Sequence, residues 1–411
     1  MGNSTRTAIA AWLLAAVYYF YQYALRSAPA VMMPQLSEAF GLDAIRVAGM
    51  VGVFYYGYSL SSLAAGPGMD RLGAKKVVPV GAVIVGAGAF LFATGNQAAA
   101  TLGRLLQGVG GVFALLGAVY IASKNFPAPR AATLIGATQM FGMAGGWVGQ
   151  VVVGRLIGAG LDWRTFWAAM GGAGLLLGLI LYLVLPEQEP VSRAEGAVRG
   201  AIRALGVVFR NPQSILCGII AGLLFIPTTI FNMIWGVRFL QEAHGFEYAS
   251  AVLRSSTVPL GWIVGCPLLG LLSDRMGRRK PVIIAGALGL LASIAWALYG
   301  RVGFFPPYSV GLFAGFVSGA AMLTYTVIKE ANPPEFSGTT TGVINFLNMT
   351  ISAVMGPAFG WMLQWAAGGT PHRTLGHYQL GFQPLLYGVA VAVILCMFLR
   401  ETGPAAQRAG P

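Results

Sequence analysis

GPGMDRLGAKK stands at residues 66–76 and GLLSDRMGRRK at residues 270–280. The two copies share glycine, aspartate, arginine, a second glycine and a closing basic pair at the same offsets. Each follows one long apolar run and precedes another, so the chain is built twice. A fainter echo agrees: Lys124-Asn-Phe-Pro127 and Lys329-Glu-Ala-Asn-Pro333 occupy matching places, two runs further on. Working outward from the copies gives twelve apolar segments, at 8–34, 45–68, 77–95, 98–123, 130–158, 165–185, 213–237, 249–272, 281–300, 306–329, 338–366 and 380–400. Inside a bilayer no water is available to a free N–H or C=O, so segments of this length must be helices. Of 411 residues, 56% are hydrophobic and 9% charged, where a soluble domain carries about 25% charged. The expected fold is an all-α polytopic membrane protein with twelve transmembrane helices. They form two pseudo-symmetric six-helix bundles, residues 1–185 and 213–411, joined by a cytoplasmic linker at 186–212. Repeats of this kind mark transporters.

The linker, PEQEPVSRAEGAVRGAIRALGVVFRNPQ from residue 186, is the one long polar stretch, and part of it reads as an amphipathic helix on the membrane surface. With the N-terminus inside, most of the 26 Lys and Arg fall in inner loops and tails, which puts both termini in the cytoplasm. Compact loops favour a bacterial inner membrane, with an organellar membrane as the alternative. The net charge of +13 does not signal nucleic acid, because the basic residues do not gather on one solvated face. Cys217, Cys266 and Cys396 lie in apolar runs and read as free thiols. No metal spacing, nucleotide loop or hydrolase motif occurs, so neither an enzyme nor a cofactor is expected. The partners expected are lipid and a small molecule, and the chain is expected to be a monomer.

The first run, AIAAWLLAAVYYFYQYALRSAPAVMMPQL at 8–36, contains Arg26. A charge at that depth costs roughly 2.5–3.5 kcal/mol on insertion scales. Tyr19, Gln22, Tyr23 and Arg26 fall at i, i+3, i+4 and i+7, one stripe down a greasy helix. Either the stripe lines a cavity and Arg26 meets an anion, or Arg26 snorkels to the interface. Pro227 in segment 7 should break or bend that helix, leaving Asn232 to face the cavity or a neighbour. Tyr55, Tyr56, Tyr58, Tyr120, Trp147, Tyr325, Asn345 and Asn348 are further candidates to line the path. All thirteen acidic residues fall in loops or at segment ends, and His244, His372 and His377 fall in outer loops. Arg26 therefore has no obvious internal counter-charge.

The doubled motif resembles the loop motif of the major facilitator superfamily, G-x-x-x-D-R-x-G-x-[KR]-[KR]. Arg104-Leu-Leu-Gln107-Gly108 resembles that family's R-x-x-Q-G element, and Asp162-Trp163-Arg164 is a further match. The resemblance implies secondary transport by rocker-switch alternating access. It implies that Asp70, Arg71, Gly73, Lys75, Asp274, Arg275, Gly277 and Arg278 hold the inner side closed, although Arg71 and Lys75 could instead serve topology alone. It gives Arg104 a role in the cavity or in holding helix 4 against helix 1, against an interfacial anchor. Arg26 is placed like an arginine of the family's organic-anion branch. That branch often carries an acid directly before this arginine and another in segment 4, where Leu25 and Gly111 stand here. The substrate expected is a small organic anion, a carboxylate, bound by Arg26, Tyr19, Gln22, Tyr23, Arg104, Tyr120, Asn232, Tyr325 and Asn345. Exchange or uniport is expected before proton symport. The rivals are an efflux carrier, which would want an acid in the cavity, and a membrane sensor or assembly partner without transport.

Overall fold

The structure is a computed structural model and describes residues 3–126, 128–187, 197–301, 308–370 and 373–405. The side chains of Asp70 and Arg71, two of the expected gate residues, and His372 lie outside the described residues. The first half comprises α1 (Asn3–Ser27), which runs into a 3-10 turn, then α2 (Met33–Phe40), α3 (Ala44–Leu72), α4 (Ala74–Ala93), α5 (Gln97–Asn125), α6 (Ala128–Gly158) and α7 (Trp163–Val184). A connecting helix, α8 (Ala197–Arg210), leads to α9 (Pro212–Ile226), a π segment (Pro227–Trp235) and α10 (Gly236–His244). There follow α11 (Tyr248–Met276), α12 (Lys280–Tyr299), α13 (Ser309–Ser318), α14 (Ala321–Glu330), α15 (Ser337–Ala367) and α16 (Leu375–Cys396).

Among the described residues, eleven spans are long and apolar enough to cross a bilayer, counting α9–α10 and α13–α14 as one each. The twelfth expected span, α3, reaches that measure together with α2, from which it turns by 103°. Caps set where helices start: Asp43 accepts from the Arg46 amide at 2.8 Å, Asn96 from Ala99 at 3.0 Å and Asp162 from Thr165 at 3.1 Å. The motif glycines supply the turns, Gly73 at φ 73° and Gly277 at φ 61°.

Three expectations change. Pro227 does not break its helix; it opens a nine-residue π segment, and α9 to α10 stay one span. Within that segment the Thr229 carbonyl accepts from the Tyr55 hydroxyl of α3 at 2.8 Å. The tenth segment is divided at Gly319–Ala320 into α13 and α14. His244 and His377 are helical rather than in loops; His377 Nδ1 accepts from the Thr374 amide at 3.3 Å at the start of α16.

Small residues bring the spans together. A Cβ at Gly145 would strike the Phe20 carbonyl, and one at Gly149 the Ala24 carbonyl, so α6 lies directly on α1. The halves meet along α3–α15 and α6–α11. Ser59 Oγ donates to the Phe346 carbonyl at 3.0 Å and lies 2.6 Å from Thr350 Oγ1. Tyr248 donates to the Val31 carbonyl at 2.6 Å. The three cysteines are free, as expected.

Candidate functional site

Arg26 is 2% exposed and lies between the halves instead of reaching an interface. The reason is local: its helix packs on α5 and α6, and α3 closes over the arginine with aromatic rings. The guanidinium carbon is 5.0 Å from the ring centre of Tyr23, 5.4 Å from Phe54, 4.9 Å from Tyr55 and 6.0 Å from Tyr58. Those faces offer a desolvated cation about 0.5–2 kcal/mol each, enough together to hold it there. They satisfy its N–H groups only in part. Nη2 reaches Met349 Sδ on α15 at 3.6 Å, a weak acceptor, and Nε has no acceptor. No carboxylate among the described residues pairs with it.

The rest of the α1 stripe divides its work. Tyr23 packs edge-on against Tyr19 at 4.9 Å and faces Arg26. Tyr19 donates to Gln139 Oε1 on α6 at 3.2 Å. Gln22 is 1% exposed with neither side-chain polar atom bonded. It occupies the space that Gly111 leaves; a Cβ there would lie 2.9 Å from Gln22 Cγ.

Across the interface, Asn348 Nδ2 donates to the Tyr325 hydroxyl at 3.1 Å, and Tyr325 donates to Asn345 Oδ1 at 2.8 Å. Asn345 Nδ2 and Asn348 Oδ1 are left unbonded in a buried place. Met349, the residue Arg26 touches, is next along α15. Tyr55 closes the group by donating to the Thr229 carbonyl of the π segment at 2.8 Å. Arg26, Tyr23, Tyr55, Tyr58 and Met349 thus form one centre at the junction, and the unspent polar atoms around it lie on both halves. Above it, on the face opposite the termini, a cavity of ≈ 570 Å³ opens between the halves, lined by Ala30 one turn past Arg26.

Other expected residues are placed elsewhere. Asn232 spends Nδ2 on Ser255, at 2.8 Å to its carbonyl and 3.1 Å to Oγ, and lines a separate cavity within the second half. The half-buried Tyr120 lies under Lys124, 5.8 Å away. Arg104 is buried as a clamp: Nε donates to the Val51 carbonyl at 3.2 Å, and Nη1 to the Leu25 carbonyl at 3.3 Å and to Gln107 Oε1 at 2.6 Å. It ties α5 to α3 and α1 and shares the Phe54 ring with Arg26, 5.2 Å from its centre.

At the second loop motif Asp274 is ion-paired with Arg279, which is 9% exposed at its side chain and also reaches Glu330 at 3.1 Å. Burial alone would lower the Arg279 pKa; hydrogen bonds to Asp274 and Glu330 outweigh it and hold the pKa above its ordinary value. Arg275 and Arg278 are exposed. In the first copy, the half-buried Lys75 comes 3.9 Å from the exposed Glu187, a long, solvent-facing contact that stabilises little. Arg279 and Glu401, which accepts from the Arg279 and Lys280 amides at 2.7 and 3.1 Å, are the members of this cluster that sequence reasoning missed. Three basic residues in a row do not say which is buried, and Glu401 lies 121 residues from the helix it caps.

The family model described as Major Facilitator Superfamily matches residues 15–357. The chain is 22% identical to a probable galactarate/D-glucarate transporter of Escherichia coli strain K12, over 87% of this chain and 88% of that one. It is 22% identical to a hexuronate transporter of Bacillus subtilis strain 168, over 82% and 83%. Among solved structures, a proton:xylose symporter superposes with a TM-score of 0.72 at 16% identity, covering 97% of both chains.

Proposed function

The chain belongs to the major facilitator superfamily, an integral membrane family of transporters and not of enzymes, and from that premise we propose that it carries a small organic anion by alternating access. The observation that supports this reading is Arg26: a guanidinium buried between the halves, held by rings, lacking a carboxylate and with an N–H to spare. A carboxylate offers the planar pair of acceptors that such a fork binds. Tyr23 and Tyr55 frame the anion, and Gln22, Asn345 and Asn348 offer spare amide groups to its hydroxyls. The names of the relatives point the same way, and sugar acids are the first compounds to try. Binding energy realised at the junction of the halves favours the closed state, which is what a carrier needs from its substrate.

Arg104 acts as a positioning residue beneath this site. Exchange or uniport accounts for a centre with no carboxylate among its residues. Residues 1–185 and 213–411 act as the two rocking units, the termini face the cytoplasm of a bacterial inner membrane, and the cluster around Asp274, Arg279 and Glu330 serves the inner gate.

A thermal-stabilisation screen of the purified protein tests the anion. Dicarboxylate and monocarboxylate sugar acids should raise Tm where the matching neutral sugars do not, and Arg26→Gln should abolish the shift. A neutral sugar that stabilises both proteins equally would remove the anion from the account.

A further inference from the structure

A second cavity, of ≈ 190 Å³, lies inside the second half, bounded by the π segment, α10, α11, the end of α12 and the length of α13. Its walls are mostly apolar, with Phe231, Leu290 and Ile294 along its length. Its basic members, His244, Arg254 and Arg301, all lie toward the end where α10 and α12 stop and α11 begins, and no acidic residue lines it. Arg254 lies 4.0 Å over the Phe246 ring, with Tyr308 at 5.2 Å, and its Nε donates to Ser250 Oγ at 3.3 Å. It enters no ion pair among the described residues. The pattern is a greasy slot with a cationic mouth.

We propose that this slot binds a long-chain fatty acid, its carboxylate on Arg254 and its chain along the π segment. The rings fix the guanidinium in place, so little freedom is lost when a planar, singly charged group pairs with it. The chain meets walls that water solvates poorly, and the surrounding bilayer supplies such molecules. The site is distinct from the Arg26 centre but touches it mechanically. Phe231 and Asn232 face the slot, whereas Thr229 of the same segment accepts from Tyr55 beside Arg26. Occupancy therefore braces the segment that joins the halves, and it slows transport.

Equilibrium binding of labelled palmitate to the full-length protein in a neutral detergent tests this, with hexadecanol as the uncharged probe. Wild type should hold one palmitate per chain, at least about tenfold more tightly than hexadecanol, the gain of one charge-assisted pair. Arg254→Gln should erase that difference, Arg254→Lys should keep most of it, and Ala314→Phe, which puts a ring into the slot from its α13 wall, should block both probes. Equal affinity of wild type for palmitate and hexadecanol would overturn the proposal, and that comparison stands even where a variant does not fold. A monoalkyl phosphate binding more tightly than palmitate would overturn the assignment to a carboxylate. Palmitate bound as tightly by Ala314→Phe as by wild type would place the site elsewhere.

Discussion

Arg26 and Arg104 are both buried arginines within apolar runs, and the structure gives them opposite characters. Arg104 spends its donors on the Val51 and Leu25 backbone carbonyls and on the Gln107 side chain. Removing it strips a side-chain donor from the Val51 and Leu25 carbonyls and leaves Gln107 Oε1 buried without a partner, at about 1–3 kcal/mol for an orphaned group. Arg104→Gln should therefore lower Tm by several degrees in a melting experiment, and Arg104→Lys should not restore it, since an ammonium cannot span both carbonyls. Arg26 holds a weak sulfur contact and an orphan Nε instead. The stripe Tyr19–Gln22–Tyr23–Arg26 was readable from its period, and so was the lack of an internal acid. Tyr55 and Tyr58 were readable as candidates to line the path, but not that they box Arg26 with Phe54, because all three come from a different helix whose rotation the sequence does not state. Gln22 filling the space beside Gly111 was equally hidden, since that contact depends on how closely α1 and α5 approach.

The spans themselves were legible because hydrophobic length and the doubled loop motif leave few alternatives. The departures arise where local chemistry has two outcomes. A proline in a span either kinks the helix or widens a turn, and packing against neighbours decides; here the π segment wins and presents the Thr229 carbonyl to Tyr55. Pro227→Ala should let the segment wind as α-helix and turn Asn232 away from Ser255. A fall in transport rate with expression and Tm preserved is the expected outcome, read by uptake and melting together. Glycine faces are stricter. Gly145→Val would drive a side chain into the Phe20 carbonyl, which backbone cannot yield, so little folded protein should survive detergent extraction. At the C-terminal end, Glu401 caps the start of α12, Thr402 donates to Glu330 at 2.6 Å, and the Ala405 amide donates to the Gly277 carbonyl at 3.0 Å. Glu401→Ala should cost about 0.5–2 kcal/mol, the usual worth of a lost helix cap, measured as a lowered Tm.

For the whole molecule, the two halves touch along α3–α15 and α6–α11, and the Arg26 centre lies where they meet. Alternating access requires those contacts to part in turn. Ser59 and Thr350 are close enough that cysteines in both places should form a disulfide on oxidation. Uptake by the Ser59→Cys/Thr350→Cys protein should stop when it is oxidised and return with reductant; full uptake by the cross-linked form would mean that this seam does not open. The repeat made two halves legible from sequence, but not the way they dock, which rests on side-chain pairs hundreds of residues apart. The account turns on Arg26 being retained for a substrate and not for the fold. Its charge is desolvated and unpaired, so replacing it should not weaken the protein. The decisive measurement is uptake of a sugar acid into proteoliposomes beside the melting temperature, for wild type and Arg26→Gln. The account predicts a drop of about 100-fold or more in kcat/KM, the loss of one desolvated ion pair, with Tm equal to or above wild type. Undiminished uptake by Arg26→Gln, or a collapse of Tm that alone explains the lost transport, would contradict it.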